Sequence, residues 1–171
     1  MPQIWSVRLS GELPAGVSAK GVILEMLRRH GVCGGVHRII EYHGPGLASL
    51  SAMDRHVIAD MGAELGATAT VFPADGAARA FLAAEGREKD FTEILPDPDA
   101  TYDIEEEIDL SALEPLIAKP SSPGNACGQG PSDECGGQLR HQPDLAGDPG
   151  RPHNNGGDSG PGHRRRAYPP G

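Results

Sequence analysis

Cysteine is scarce in this 171-residue chain: Cys33, Cys127 and Cys135 are the only three, and no two of them form a CxxC pair. An odd number at wide spacing argues against a disulfide framework and fits a chain kept reduced, so the cytoplasm is the expected location. No apolar run approaches the ~18 residues of a membrane span. The opening residues Met1-Pro2-Gln3-Ile4-Trp5 lack the basic region and long apolar stretch of a secretory signal. Walker and GxGxxG spacings are missing, as is a GxSxG nucleophile elbow. His30, Cys33 and His37 show no metal-ligand spacing.

Large apolar side chains are sparse at one end. From Ala126 onward there is no Val, Ile, Met, Phe or Trp, and residues 124–171 hold 12 of the 24 glycines. Ordering backbone costs roughly 1–2 kcal/mol per residue, which Leu139, Leu145 and Tyr168 do not offset by burial. Residues 124–171 are therefore expected to be a disordered Gly/Pro/Arg-rich tail, and residues 1–123 the part that folds. The tail's composition also resembles an out-of-frame reading of GC-rich coding sequence.

Charge divides at the same place. The body carries 19 of the 24 acidic and 10 of the 15 basic residues, hence the whole net charge of −9. An acidic body argues against nucleic acid and anionic membrane surfaces as partners. The basic run Arg164-Arg165-Arg166 is an isolated cluster with one tyrosine nearby.

Within the body, strand and helix patterns alternate. Ile4–Leu9 reads as a strand, followed by a helix N-capped by Ser18 with Val22, Ile23, Met26 and Leu27 on one face and Gly31 closing it. Val36–Tyr42 is a second strand, running into the turn His43-Gly44-Pro45-Gly46. A helix over Ala52–Leu65 carries Met53, Val57, Ile58, Met61 and Leu65 at helical spacing. Ala67–Phe72 reads as a strand, Gly76–Ala84 as a helix and Glu88–Leu95 as a short helix. In Tyr102–Leu110, Tyr102, Ile104, Ile108 and Leu110 alternate with acidic residues, the period of a half-buried strand, with Glu106 the exception on the inner face. The fold class expected is α/β, a small sheet flanked by helices.

His56, Asp60 and Glu64 recur every four residues on the second helix. On pattern alone this polar stripe reads as a solvated face before it reads as a site. His43, ahead of a helix N-terminus, reads as part of a connecting turn before it reads as a binding loop.

Longer stretches carry more information. Glu41-Tyr42-His43-Gly44-Pro45-Gly46, Ile58-Ala59-Asp60-Met61-Gly62-Ala63-Glu64-Leu65-Gly66-Ala67-Thr68 and Val71-Phe72-Pro73 closely resemble the aconitase family. Val7-Arg8-Leu9-Ser10-Gly11, Val17-Ser18-Ala19-Lys20 and Glu114 to Pro123 fit it as well, so the similarity covers about residues 3–125. It is nearer to aconitate hydratases than to the related isopropylmalate dehydratase large subunits, on the Gly-Pro-Gly turn and the Pro-Ser-Ser-Pro stretch.

The resemblance implies a partial α/β/α domain of a lyase of the tricarboxylic acid cycle. Such enzymes interconvert citrate and isocitrate through cis-aconitate on a [4Fe-4S] cluster whose open iron is a Lewis acid. It places Glu64 near that iron and Asp60, where the family has asparagine, near the cluster; these two are the candidate catalytic residues. A carboxylate for an amide removes an NH₂ donor and adds like charge there. Two further departures are Gly21, where an acid would complete a capping box with Ser18, and His37, where a small residue is usual.

The family's cluster cysteines, one in a Cys-Thr-Asn motif and two in a CxxC-like pair, lie beyond the matching region and are not matched by Cys127 or Cys135. The chain alone is therefore expected to bind no cluster and to be inactive, with a complementary enzyme fragment as its implied partner. The alternative is a non-catalytic binding module derived from the same domain.

Overall fold

The computed structural model describes residues 1–128. Its frame is a four-stranded parallel sheet of β1 (Gln3–Ser10), β2 (Arg38–His43), β3 (Ala69–Val71) and β4 (Ile104–Asp109), in the order β3-β2-β1-β4. Helices α1 (Lys20–His30), α2 (Ala52–Asp60) and α3 (Gly76–Ala84) join the strands, as parallel pairing requires. The α/β expectation is met. The expected disorder of residues 129–171 lies outside the described residues.

The body extends past residue 123. β5 (Leu116–Ala118) pairs antiparallel with β6 (Ala126–Gly128), and Lys119 N–H reaches the Asn125 carbonyl. Residues 124–128, placed with the tail by composition, are thus part of a hairpin whose order comes from backbone pairing. Ala126 is buried with the core.

Register sets the two faces of the sheet. Trp5, Val7 and Leu9 of β1 align with Ile40 and Tyr42 of β2 and with Ile104, Glu106 and Ile108 of β4. All of these but Ile104 and Glu106 are sealed in one core with Val22, Ile23, Met26 and Leu27 of α1 and Ile58 of α2. Fully burying each such side chain contributes about 1.5–3 kcal/mol. The Tyr42 ring stacks on Phe72, and burial pushes its phenol pKa up.

Glu106, the acidic exception in the strand pattern, faces α1. Arg29 Nη1 donates to its Oε1 at 2.7 Å, and His30 Nε2 lies 2.8 Å from its Oε2. Arg28 and Arg29 in turn donate to Glu25, whose side chain is 7% exposed. The basic end of α1, which suits the helix dipole, is also the ionic seam joining α1 to the sheet edge.

Three local expectations differ. Ser18 does not cap α1: Ala19 already has helical angles, no side chain caps the helix, and Gly21 N–H bonds the Ser18 carbonyl instead. Glu88–Leu95 forms only a short 3-10 turn at Glu88–Asp90, after which Ile94 bridges back to Ala74. The second helix ends at Asp60 and continues as a 3-10 turn over Met61–Ala63, because Gly62 presses against the sheet and Gly66 turns the chain at φ 83°. Its N-terminus is a capping box, with Ser51 Oγ accepting Asp54 N–H and Asp54 accepting Ser51 N–H. His37 has a left-handed backbone, φ 60°, a conformation where a residue without Cβ is favoured.

Burial opposes ionisation of Glu25 and Glu106, but hydrogen bonds from Arg28 and Arg29 to the first, and from His30 and Arg29 to the second, hold both pKa values below the usual carboxylate range. A depressed folded-state pKa gives stability that is complete above the ordinary carboxylate pKa and is lost as pH falls through the folded value. Thermal midpoints should therefore be flat from pH 7 to about 5 and fall below about pH 4.5. Glu106→Gln should flatten that acid limb and cost about 2 kcal/mol at pH 7, between the exposed-pair and fully buried-pair limits. Melting curves across pH check both.

Candidate functional site

Asp60 and Glu64 flank the turn that leaves α2. Asp60 ends the helix, Met61–Ala63 makes one 3-10 turn, and Glu64 follows, its N–H bonded to the Met61 carbonyl. Both side chains are exposed, as is His56, and neither carboxylate has a hydrogen bond or ion pair among the described residues. The four-residue stripe is therefore not one continuous α-helical row, since Glu64 lies past the helix end.

The backbone under these carboxylates is tightly fixed. A Cβ on Gly62 would run into Thr70 Oγ1 of β3, and one on Gly35 would come within 2.8 Å of the Ala67 nitrogen. Leu65 is fully buried, its carbonyl accepts Gly35 N–H at 2.8 Å, and Ala67 N–H bonds the Gly62 carbonyl. Two glycines thus let the turn lie flat on the sheet, and two unpaired carboxylates stand out from it.

The pattern did not reveal a second polar grouping. On the face of the sheet opposite α1, Ser6 Oγ lies 2.6 Å from His43 Nε2, and the His43 ring stacks on Tyr102 with centroids 5.8 Å apart. Burial and the neighbouring Glu41 carboxylate, to which Tyr102 is hydrogen-bonded, raise the Tyr102 pKa. Arg8 pairs with Glu107 at 2.7 Å. These residues line an open cavity of about 350 Å³ with Glu105, Glu106 and Ala100. His43 therefore ends a strand rather than forming part of a turn, and only the parallel register of β1 with β2 brings it beside Ser6. A smaller cavity, about 310 Å³, lies past the strand ends between Gly11-Glu12 and Pro45, Ala48 and Ser49. Asp60 and Glu64 line neither.

The donor set does not suit an iron–sulfur cluster, which takes several thiolates at one place. Among the described residues the thiols are Cys33, exposed, and Cys127, half-buried, and no three His, Cys, Asp or Glu side chains converge. No chemical step is assigned to a cluster on these residues.

If Gly62 is what seats the turn, Gly62→Ala should cost about 1–3 kcal/mol by overpacking. The cost should shrink when Thr70 is also changed to Ala, because the contacting hydroxyl is gone. A double-mutant cycle from denaturant melts measures the difference.

The chain matches the family described as "Aconitase family (aconitate hydratase)" over residues 1–134, past Asn125 where the resemblance was read to end. It is 42% identical over 120 residues to the 3-isopropylmalate dehydratase large subunit 1 of Thermotoga maritima, covering 70% of this chain and 29% of that protein. It is 41% identical over 125 residues to the large subunit 2 of Archaeoglobus fulgidus, covering 73% and 30%. Against aconitate hydratase A of Thermus thermophilus it is 37% identical over 139 residues, covering 71% and 15%. Identity does not separate the two kinds of enzyme, so the expected leaning toward aconitate hydratases is not carried by it. The chain spans less than a third of the length of these relatives. With a family match over residues 1–134 and relatives about 40% identical over some 70% of its length, the chain belongs to the aconitase family.

Proposed function

We propose that this chain supplies one α/β domain's share of an aconitase-type hydro-lyase, and that Asp60 and Glu64 are its contribution to the reacting centre. The reading is carried by one observation: the two carboxylates stand exposed and unpaired on a turn whose backbone is fixed by Gly62, Gly35 and Leu65. Exposed carboxylates with no internal partner are available to a substrate or to a neighbouring polypeptide. Fixed backbone beneath them limits the entropy lost when they engage.

The substrate class is a hydroxy acid with two or three carboxylates. The relatives' names give aconitate for one branch and 3-isopropylmalate for the other, and the family resemblance implies citrate and isocitrate for the first. A [4Fe-4S] cluster, if the whole protein holds one as the family resemblance implies, would supply Lewis acidity, and its thiolates would come from outside residues 1–128. The 171-residue chain is inactive by itself on this reading. Its partner is the complementary, cysteine-bearing part of such an enzyme, and relatives named as large subunits point to a small-subunit counterpart as well.

Complementation tests the proposal. The chain is combined anaerobically with the cluster-bearing remainder of a family member, and hydration of cis-aconitate and dehydration of 3-isopropylmalate are followed. Activity should appear only in the mixture. Glu64→Gln should lower kcat about 10²–10⁴-fold, the range of a lost acid–base group. A mixture without activity, or one indifferent to Glu64→Gln, contradicts the proposal and favours a non-catalytic binding module.

A further inference from the structure

Helix α2 is held in an unusual way. Of its nine residues only Arg55 and Ile58 are buried, while Met53 and Val57, which the apolar spacing assigned to the core, are 54% and 38% exposed. A helix with one buried aliphatic side chain has little hydrophobic fixation. The polar contacts of Arg55 take its place. The Arg55 side chain is 6% exposed, and its guanidinium grips Asp75 in bidentate fashion, Nη1 to Oδ1 at 2.7 Å and Nη2 to Oδ2 at 2.8 Å. Nη2 also donates to the Leu47 carbonyl at 2.9 Å and Nη1 to the Pro73 carbonyl at 3.3 Å.

Those four bonds reach two separate loops, one after β2 and one between β3 and α3. Leu47 lies in the 3-10 turn Pro45–Ser49 after β2, Pro73 follows β3, and Asp75 caps α3 by accepting Ala77 N–H at 3.0 Å. One planar cation therefore ties α2 to the loops at the carboxyl ends of two strands and to the start of the next helix. The fork geometry matters: a lysine carries its charge as a point and does not span a carboxylate and two carbonyls together.

From this geometry we propose that Arg55 is a positioning residue, setting the angle at which α2 leaves the sheet and so the placement of the Asp60–Glu64 turn that continues it. What the placed carboxylates are for rests on the function proposed above; the mechanical linkage does not. Ile58 alone leaves a short helix free to pivot. Gly62 and Leu65 fix the far end of the turn to the sheet, and Arg55 fixes the near end through Asp75. Asp75 reports the same grip, since the Arg55 guanidinium holds its carboxyl below the usual carboxylate range.

Amide hydrogen exchange on the full chain tests this, comparing wild type with Arg55→Lys, Asp75→Asn and, as a control for a half-buried ion pair elsewhere, Glu106→Gln. Exchange at the Glu64, Leu65 and Gly66 amides, bonded to the carbonyls of Met61, Gly62 and Ala63, is the readout. Arg55→Lys should speed these amides at least about tenfold while the β1 and α1 amides keep their protection, the signature of local opening. Asp75→Asn should do the same to a smaller degree, and Glu106→Gln should not. Uniform acceleration in β1, α1 and the turn alike, or unchanged exchange at 64–66, overturns the proposal. If Arg55→Lys does not fold, Asp75→Asn decides by the same criterion. The measurement needs no cluster or substrate, so a failed complementation and a failed linkage are told apart.

Discussion

Double parallel pairing of β1 is the constraint from which the rest of this molecule follows. β1 is bonded to β2 on one side and to β4 on the other, so its register fixes which residues of both neighbours share its faces. Shifting that register by one residue would exchange Trp5, Val7 and Leu9 with Ser6 and Arg8 and bury a charge. The same register lines up Val7, Tyr42 and Glu106 on the helix side and puts Ser6 and Arg8 with His43 and Glu107 on the other. One acidic residue on the helix side is affordable because α1 ends in Arg28, Arg29 and His30, which surround Glu106 and Glu25.

Much of this was legible in the sequence where one physical effect acts alone. Alternation placed β4, and β1 and β3 fall within the stretches read as strands, Ile4–Leu9 and Ala67–Phe72. Gly31, at φ 67°, closes α1 as its position implied. Legibility fails where two effects compete. Helical spacing alone does not tell that Met53 and Val57 face outward, since their burial depends on which neighbours arrive, and an arginine occupies the inner position instead. The end of α2 depends on a contact between Gly62 and Thr70, eight residues apart and on different elements. The Ser6–His43 pair depends on a strand crossover and has no local signature at all. The hairpin of β5 and β6 lay hidden in glycine-rich composition, because backbone pairing asks little of side chains.

The candidate carboxylates were found by resemblance rather than by pattern, and their physical setting explains why. No hydrogen bond or ion pair engages Asp60 or Glu64 among the described residues, so an isolated reading of this helix face sees a solvated surface. A catalytic carboxylate in a domain that shares its site with other parts of a protein would look the same. The departures from the family behave alike. His37 takes a left-handed backbone at a strand entry where a side chain is strained. Gly21 is buried in the first turn of a helix that has no side-chain cap, with a would-be Cβ only 3.2 Å from Val17 Cγ1.

The proposed function amounts to a division of labour, in which residues 1–128 hold two positioned carboxylates and the cluster would be held by thiolates outside them. Anaerobic reconstitution of the 171-residue chain with iron and sulfide tests it most directly. After removal of unbound iron, the chain should show no cluster absorption and no stoichiometric iron, because Cys33 and Cys127 are only two described thiols and do not converge with other ligands. A stable cluster band with about four irons per chain, the content of a [4Fe-4S] centre, would contradict it.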